Sequence, residues 1–152
     1  MTSTPEDGRA EPVRSDIEER VRSSFARQRM MQTLGASLTA VRSGEVEIEL
    51  PFRDELTQQH GYLHAAAITA IVDSACGYAA LTRMPPEMEV LSVEFKVNLL
   101  APGVGDRFVA VGKVVRSGRT LTVCSGEGYA IRNGERKLIC VMQATMIAAR
   151  SD

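Results

Sequence analysis

Hydrophobic and polar positions change their period several times along the chain. Ile17, Val21, Phe25 and Gln28 or Arg29 recur at helical spacing behind Ser15 or Asp16, either of which can cap a helix, and they predict a helix to about residue 32. Leu34 to Val41 reads as a strand and Ser43-Gly44 as a turn pair. Glu45-Val46-Glu47-Ile48-Glu49-Leu50 then alternates strictly, as a half-buried strand does, with its three glutamates on the solvated face. Pro51 ends that pattern, and residues 53–62, RDELTQQHGY, form a polar loop. Leu63 to Thr82, LHAAAITAIVDSACGYAALT, is apolar or small nearly all round. Such a helix is buried, and its small side chains let neighbouring backbones come close. Pro85-Pro86 close it.

The rest of the chain reads as strand. Leu91, Val93, Phe95, Val97 and Leu99 alternate with Ser92, Glu94, Lys96 and Asn98. A Pro102-Gly103 turn, a strand over 107–115, a Ser117-Gly118 turn and a strand over 120–131 follow. Asn133-Gly134, a strong hairpin signal, leads into a last strand over 137–148. The order α-β-β-α-β-β-β-β, with consecutive hairpins, predicts an antiparallel sheet with the long helix on one face, the α+β class. Residues 1–16, polar and carrying Pro5 and Pro12, read as a flexible N-terminal tail, and 17–150 as one domain.

Composition narrows the partners. Eighteen basic residues against 19 acidic ones exclude the strong basicity of a nucleic-acid or anionic-membrane binder. Tryptophan is absent and aromatics are 5%, too few for a base-stacking surface. No run of about 18 apolar residues predicts a membrane span. Cys76, Cys124 and Cys140 are far apart, form no CxxC and have no histidine at ligand spacing, so we expect free thiols in a reducing cytoplasm and no metal site. The opening residues lack the apolar core of a secretory signal.

Asp73 is the one formal charge in the long helix. A carboxylate there must be paired, protonated or placed in a functional cavity, because burying it alone costs several kcal/mol. A structural aspartate bonded to backbone or to an arginine is the simple alternative. The loop before the helix, Gln58 to Ala66, delivers free N–H groups near His64 to Ala66, a start suited to an oxyanion. Nine residues separate His64 from Asp73, about 13 Å at 1.5 Å per residue. The two features can meet on one carbonyl only if they come from two subunits with antiparallel helices.

These residues resemble the hotdog-fold acyl-CoA thioesterases, in particular the PaaI-like branch. That branch carries an Asn, a Gly, then His-Gly-Gly and an Asp nine residues after the His. The match runs through Gly61, His64 and Asp73, the DSACGYAAL helix at 73–81, the SVEFKVNLLAPG strand at 92–103 and the VVRSGRTL hairpin at 114–121. It covers roughly residues 34–148. The resemblance implies a long central helix wrapped by a curved antiparallel sheet of five to six strands. It implies hydrolysis of acyl-CoA to free acid and CoA, with Asp73 attacking the carbonyl or activating water. The N–H near Ala65 of a partner subunit would polarise that carbonyl, His64 would shape the loop, and Ser92 would position the water. Arg116, Ser117, Gly118 and Arg119 fall where the family often contacts CoA phosphates, although a solvated hairpin explains them equally. No cofactor is implied, CoA being part of the substrate. The partner is a second copy of the chain, in a dimer that makes the site and in a tetramer built from two dimers.

The chain departs from the family pattern twice. His-Gly-Gly is His64-Ala65-Ala66, which keeps the N–H groups but adds methyls that narrow the thioester channel. Gln58 stands in place of the Asn, one methylene longer. Two other functions fit the same fold: a non-catalytic acyl-CoA sensor, and an acyl-CoA or acyl-carrier-protein dehydratase. The dehydratase needs a strand-borne histidine, and His60 reads as a loop residue. Arg83, just past the helix, is open to either a CoA or an ordinary surface role.

Overall fold

The computed structural model describes residues 10–150. Most of the expected tail, residues 1–9, lies outside them. Pro12 bridges Arg42 in antiparallel fashion, and the Ser43 N–H donates to the Glu11 carbonyl at 3.0 Å.

The expected first helix is two helices, α1 (Ser15–Arg27) and α2 (Arg29–Leu34). Gln28 takes an extended conformation between them. Gly35, at φ 74°, ends α2 in the left-handed conformation that a residue without Cβ adopts freely. Leu34 is therefore the last turn of a helix rather than the start of a strand. Arg14, not Ser15 or Asp16, sits at the N-cap, and its guanidinium pairs with Asp16 at 2.8 Å.

Six strands make one antiparallel sheet: β1 (Ser37–Arg42), β2 (Glu45–Pro51), β3 (Met88–Leu99), β4 (Arg107–Ser117), β5 (Leu121–Arg132) and β6 (Glu135–Arg150). Their order across the sheet is β1-β2-β4-β5-β6-β3. The strictly alternating segment is β2, with Val46, Ile48 and Leu50 fully buried. Asn133 (φ 51°) and Gly134 (φ 78°) make the tight β5–β6 turn.

One expectation fails here. Pro102-Gly103 does turn the chain, with the Val104 N–H on the Pro102 carbonyl, but it does not join a hairpin. β3 pairs with β6 at the edge of the sheet, and β4 lies three strands away beside β2. The connection between them crosses one end of the fold, where Leu63 N–H bonds the Gly103 carbonyl at 2.9 Å.

The long helix α3 (Ala65–Leu81) packs against five of the six strands. It can approach closely because the inner sheet face carries glycines. A Cβ at Gly112 would lie 2.3 Å from the Ala75 backbone, and one at Gly126 would lie 2.5 Å from Val72 Cγ1. Both helix ends are tied down. Thr82 donates to the Ala79 carbonyl at 2.7 Å and accepts from the Gly44 N–H at 2.8 Å, locking the C-terminus to the β1–β2 turn. Arg83 lies over Gly44 in the same place, 2.6 Å from where a Cβ would stand.

Candidate active site

Asp73 projects from a stripe on α3 that the fold leaves partly open, together with Ala66, Thr69 and Ala70. It is half-buried, and Ser92 Oγ donates to its Oδ1 at 2.8 Å. This contact depends on an irregularity in β3. Phe95, Val97 and Leu99 pair with Ala144, Met142 and Cys140, residues of β6 that are buried against the helix. Strict alternation from Phe95 would turn Ser92 outward. A register shift between Ser92 and Glu94 inserts one residue, and Ser92 pairs instead with the buried Met146. The bulge thus turns a hydroxyl onto the helix face, where it meets Asp73.

Burial raises the Asp73 pKa above its ordinary 3.8, and the Ser92 hydrogen bond partly opposes that rise. The result is a carboxylate more basic than a surface aspartate, with Oδ1 held and Oδ2 left for another partner. It opens on a cavity of about 330 Å3 between α1, α3 and β3, lined in part by Ser24, Gln28, Gly77 and Tyr78. Ser74 Oγ donates to Gln28 Oε1 at 3.1 Å across the same junction. Sequence reading overlooked Ser24 and Tyr78 and treated Gln28 only as a member of a helix face. The available signal is that Ser24 and Gln28 are polar and one turn apart where the helix otherwise turns apolar residues inward.

The start of α3 forms a second locus. His64 is the N-cap, and its Nδ1 accepts the Ala66 N–H at 2.9 Å. The His64 carbonyl accepts the Ala67 N–H at 2.9 Å, and the His64 N–H donates to the Leu56 carbonyl at 2.8 Å. Of the first three N–H groups of the helix, only that of Ala65 has no partner among the described residues. Ala65 lines a cavity of about 430 Å3 with Gln58, Tyr62 and the 99–103 crossover. Gln58 closes the loop in front of it: its Oε1 accepts from the His60 N–H at 2.5 Å and the Tyr62 N–H at 3.3 Å. Gly61, at φ 78°, completes that turn, and His60 is exposed.

The two loci do not meet within one chain. Ala65 and Asp73 line different cavities, and eight residues of helix separate them by about 12 Å. Arg116, Ser117, Gly118 and Arg119 are exposed at the β4–β5 hairpin and line neither cavity. A second register shift, between Val114 and Arg116, pairs Arg116 with Val123 on the sheet face away from α3. Cys76 lies on α3, Cys124 on β5 and Cys140 on β6, all buried, with burial raising the Cys124 and Cys140 pKa to about 11 and that of Cys76 further. They stay protonated and serve as packing rather than as nucleophiles. No cluster of three or more His, Cys, Asp or Glu of metal-binding size occurs among the described residues, and no helix among them is long and apolar enough to cross a membrane.

Comparison with known proteins agrees with this fold. The family model of the thioesterase superfamily matches residues 60–139. A crystal structure of a thioesterase family protein from Silicibacter pomeroyi is 49% identical, covers 89% of this chain and 99% of that one, and superposes with a TM-score of 0.87. The E. coli PaaI protein from the phenylacetic acid degradation operon shares the fold at 15% identity, covering 90% of this chain and 94% of that one, with a TM-score of 0.77. A curated relative from Saccharolobus solfataricus, named "Putative esterase", is 33% identical over 90 residues, 59% of this chain. This chain spans 64% of that relative's length.

Proposed function

The chain belongs to the thioesterase superfamily and has its hotdog fold, and from that premise we propose that it hydrolyses acyl-CoA thioesters to the free acid and CoA. The observation that carries this reading is the Asp73–Ser92 pair at the mouth of a cavity: a basic carboxylate, aimed by a hydroxyl, with one oxygen free. Asp73 takes a proton from water as the water oxygen attacks the thioester carbon, or attacks that carbon itself to form a mixed anhydride that water then opens. In both routes the carbonyl oxygen gains negative charge, the C–S bond breaks, and CoA leaves as the thiol once protonated. The free N–H of the partner subunit's Ala65, backed by the positive end of its helix, receives the developing oxyanion.

The separation of Ala65 from Asp73 within one chain supports a site shared by two copies. So does β3, an edge strand beside Asp73 that leaves Leu91, Val93, Phe95 and Leu99 between 43% and 59% exposed. An edge this apolar calls for a cover, and a second copy supplies one. The dimer is the minimal assembly of this reading, and pairing of two dimers into a tetramer remains part of it. We place the CoA phosphates at Arg116–Arg119, whose exposed guanidiniums suit them, and the protein in the cytoplasm, where its acyl-CoA substrates and three unpaired thiols belong.

The test is thiol release from a panel of acyl-CoA esters by the wild type and by Asp73→Asn. We expect turnover to fall at least ~10²-fold in the variant while acyl-CoA binding persists. Near-wild-type turnover would remove Asp73 from the mechanism. Binding without turnover in both proteins would point to an acyl-CoA sensor.

A further inference from the structure

We propose that the cavity beside Asp73 selects a short acyl group carrying a neutral hydrogen-bonding substituent, and that Gly77 is the residue that holds this pocket open. The proposal rests on the acyl-CoA hydrolase reading above and adds its substrate class.

Gly77 is the starting point. A glycine inside a helix costs about 0.8–1.0 kcal/mol relative to alanine. At Gly112 and Gly126 crowding against α3 explains the residue, but a Cβ at Gly77 would meet nothing within 4 Å. Packing of the fold therefore does not demand a glycine here. Gly77 follows Asp73 by four residues, so the two share a helix face, and both line the same cavity. A methyl at position 77 would stand in that cavity one helical turn from the carboxylate, in open space that the acyl chain of a thioester attacked by Asp73 can enter.

The wall chemistry then narrows the occupant. Tyr78 presents its hydroxyl with a single partner, Ser24 Oγ, at 3.4 Å, near the limit of a hydrogen bond, so both hydroxyls keep capacity for a ligand. Gln28 spends its amide oxygen on Ser74 and keeps its amide N–H groups. A plain hydrocarbon would leave these groups without partners. An anionic tail is disfavoured as well, because the lining that this chain supplies carries one cation, Arg27, against two carboxylates, Glu89 and Asp73. The volume of about 330 Å3 stands at the low end of small-ligand sites, roughly 300–1,000 Å3, and suits a short chain.

The experiment compares kcat/KM, by thiol release, for acetyl-, hexanoyl-, 6-hydroxyhexanoyl- and adipoyl-CoA. We expect wild type to prefer the hydroxylated ester over hexanoyl-CoA and over the anionic adipoyl-CoA by at least about tenfold. Tyr78→Phe should cut the preference over hexanoyl-CoA by at least half. Gly77→Ala should melt higher than wild type, and should slow the six-carbon esters at least about tenfold more than acetyl-CoA. Hydrolysis with hexanoyl-CoA as good as its hydroxylated partner, or equal slowing of acetyl and six-carbon esters by Gly77→Ala, would overturn this inference and leave the hydrolase reading standing. No hydrolysis of any ester by the folded wild type would overturn both.

Discussion

Replacing Ala65 by proline would delete one hydrogen-bond donor and little else. Ala65 is the first residue of α3, the position where proline is most at home in a helix, because its fixed φ suits the turn and no intrahelical bond needs its N–H. His64 before it has φ −62° and ψ 138°, the extended conformation that a residue preceding proline prefers. The Ala65 N–H bonds no described residue, so nothing in the fold loses a partner. The helix keeps its cap through the Ala66 N–H on His64 Nδ1. On stability the change is therefore neutral or favourable, by up to ~1 kcal/mol through the unfolded chain. On catalysis it removes the proposed oxyanion donor, a loss worth about 10²–10³ in kcat, or ~2.7–4 kcal/mol of barrier. The assay pairs thiol-release kinetics with a thermal melt, and uses Ala65→Gly, which retains the donor, as control. A proline variant that melts like wild type and turns over within a fewfold of it would refute the oxyanion assignment. A slow Ala65→Gly variant would show that the side chain, not the N–H, is what counts.

Three further outcomes are expected. Asp73 has a folded-state pKa raised by burial, so the folded protein holds that proton to higher pH than the unfolded chain does; the stability this contributes is present below the ordinary 3.8 and lost as pH rises through the folded value. Asp73→Asn should therefore melt higher than wild type near neutral pH, with the gap closing as pH falls toward 3.8 in a melting series; an equal or lower neutral-pH melting temperature would contradict the burial argument. Phe95→Glu on the exposed edge strand should give monomers by light scattering and lose activity with the shared site, whereas a fully active monomer would rule out a two-subunit centre. Arg119→Ala should raise KM several-fold for CoA esters and much less for a short thioester lacking the nucleotide; equal effects would detach the β4–β5 hairpin from CoA binding.

Local pattern marks most of the elements, though not the break at Gln28 or the helical end at Leu34, and it does not show which strands pair across the sheet. The buried helix at 65–81, the β2 alternation and the Asn133-Gly134 turn all follow from the period of apolar positions and from backbone preferences that act over a few residues. Asp73 stood out for the same local reason, a charge in an apolar helix, and the free N–H at its start follows from helix geometry. The order of motifs also carried the family resemblance.

Only the tertiary structure decided which strand β3 pairs with, since Pro102-Gly103 sets a bend and leaves the partner open. The long β6 claims β3 at the edge, and that placement leaves apolar side chains of the strand exposed beside Asp73. The bulge that turns Ser92 inward is likewise a property of two paired strands, because an inserted residue exists only relative to a partner's register. Gln28, where the first helix breaks, meets the Asp73 cavity through Ser74, a contact between residues 46 apart in the chain. Local sequence determined the elements and the chemistry they carry; pairing between distant segments determined which of those groups face one another.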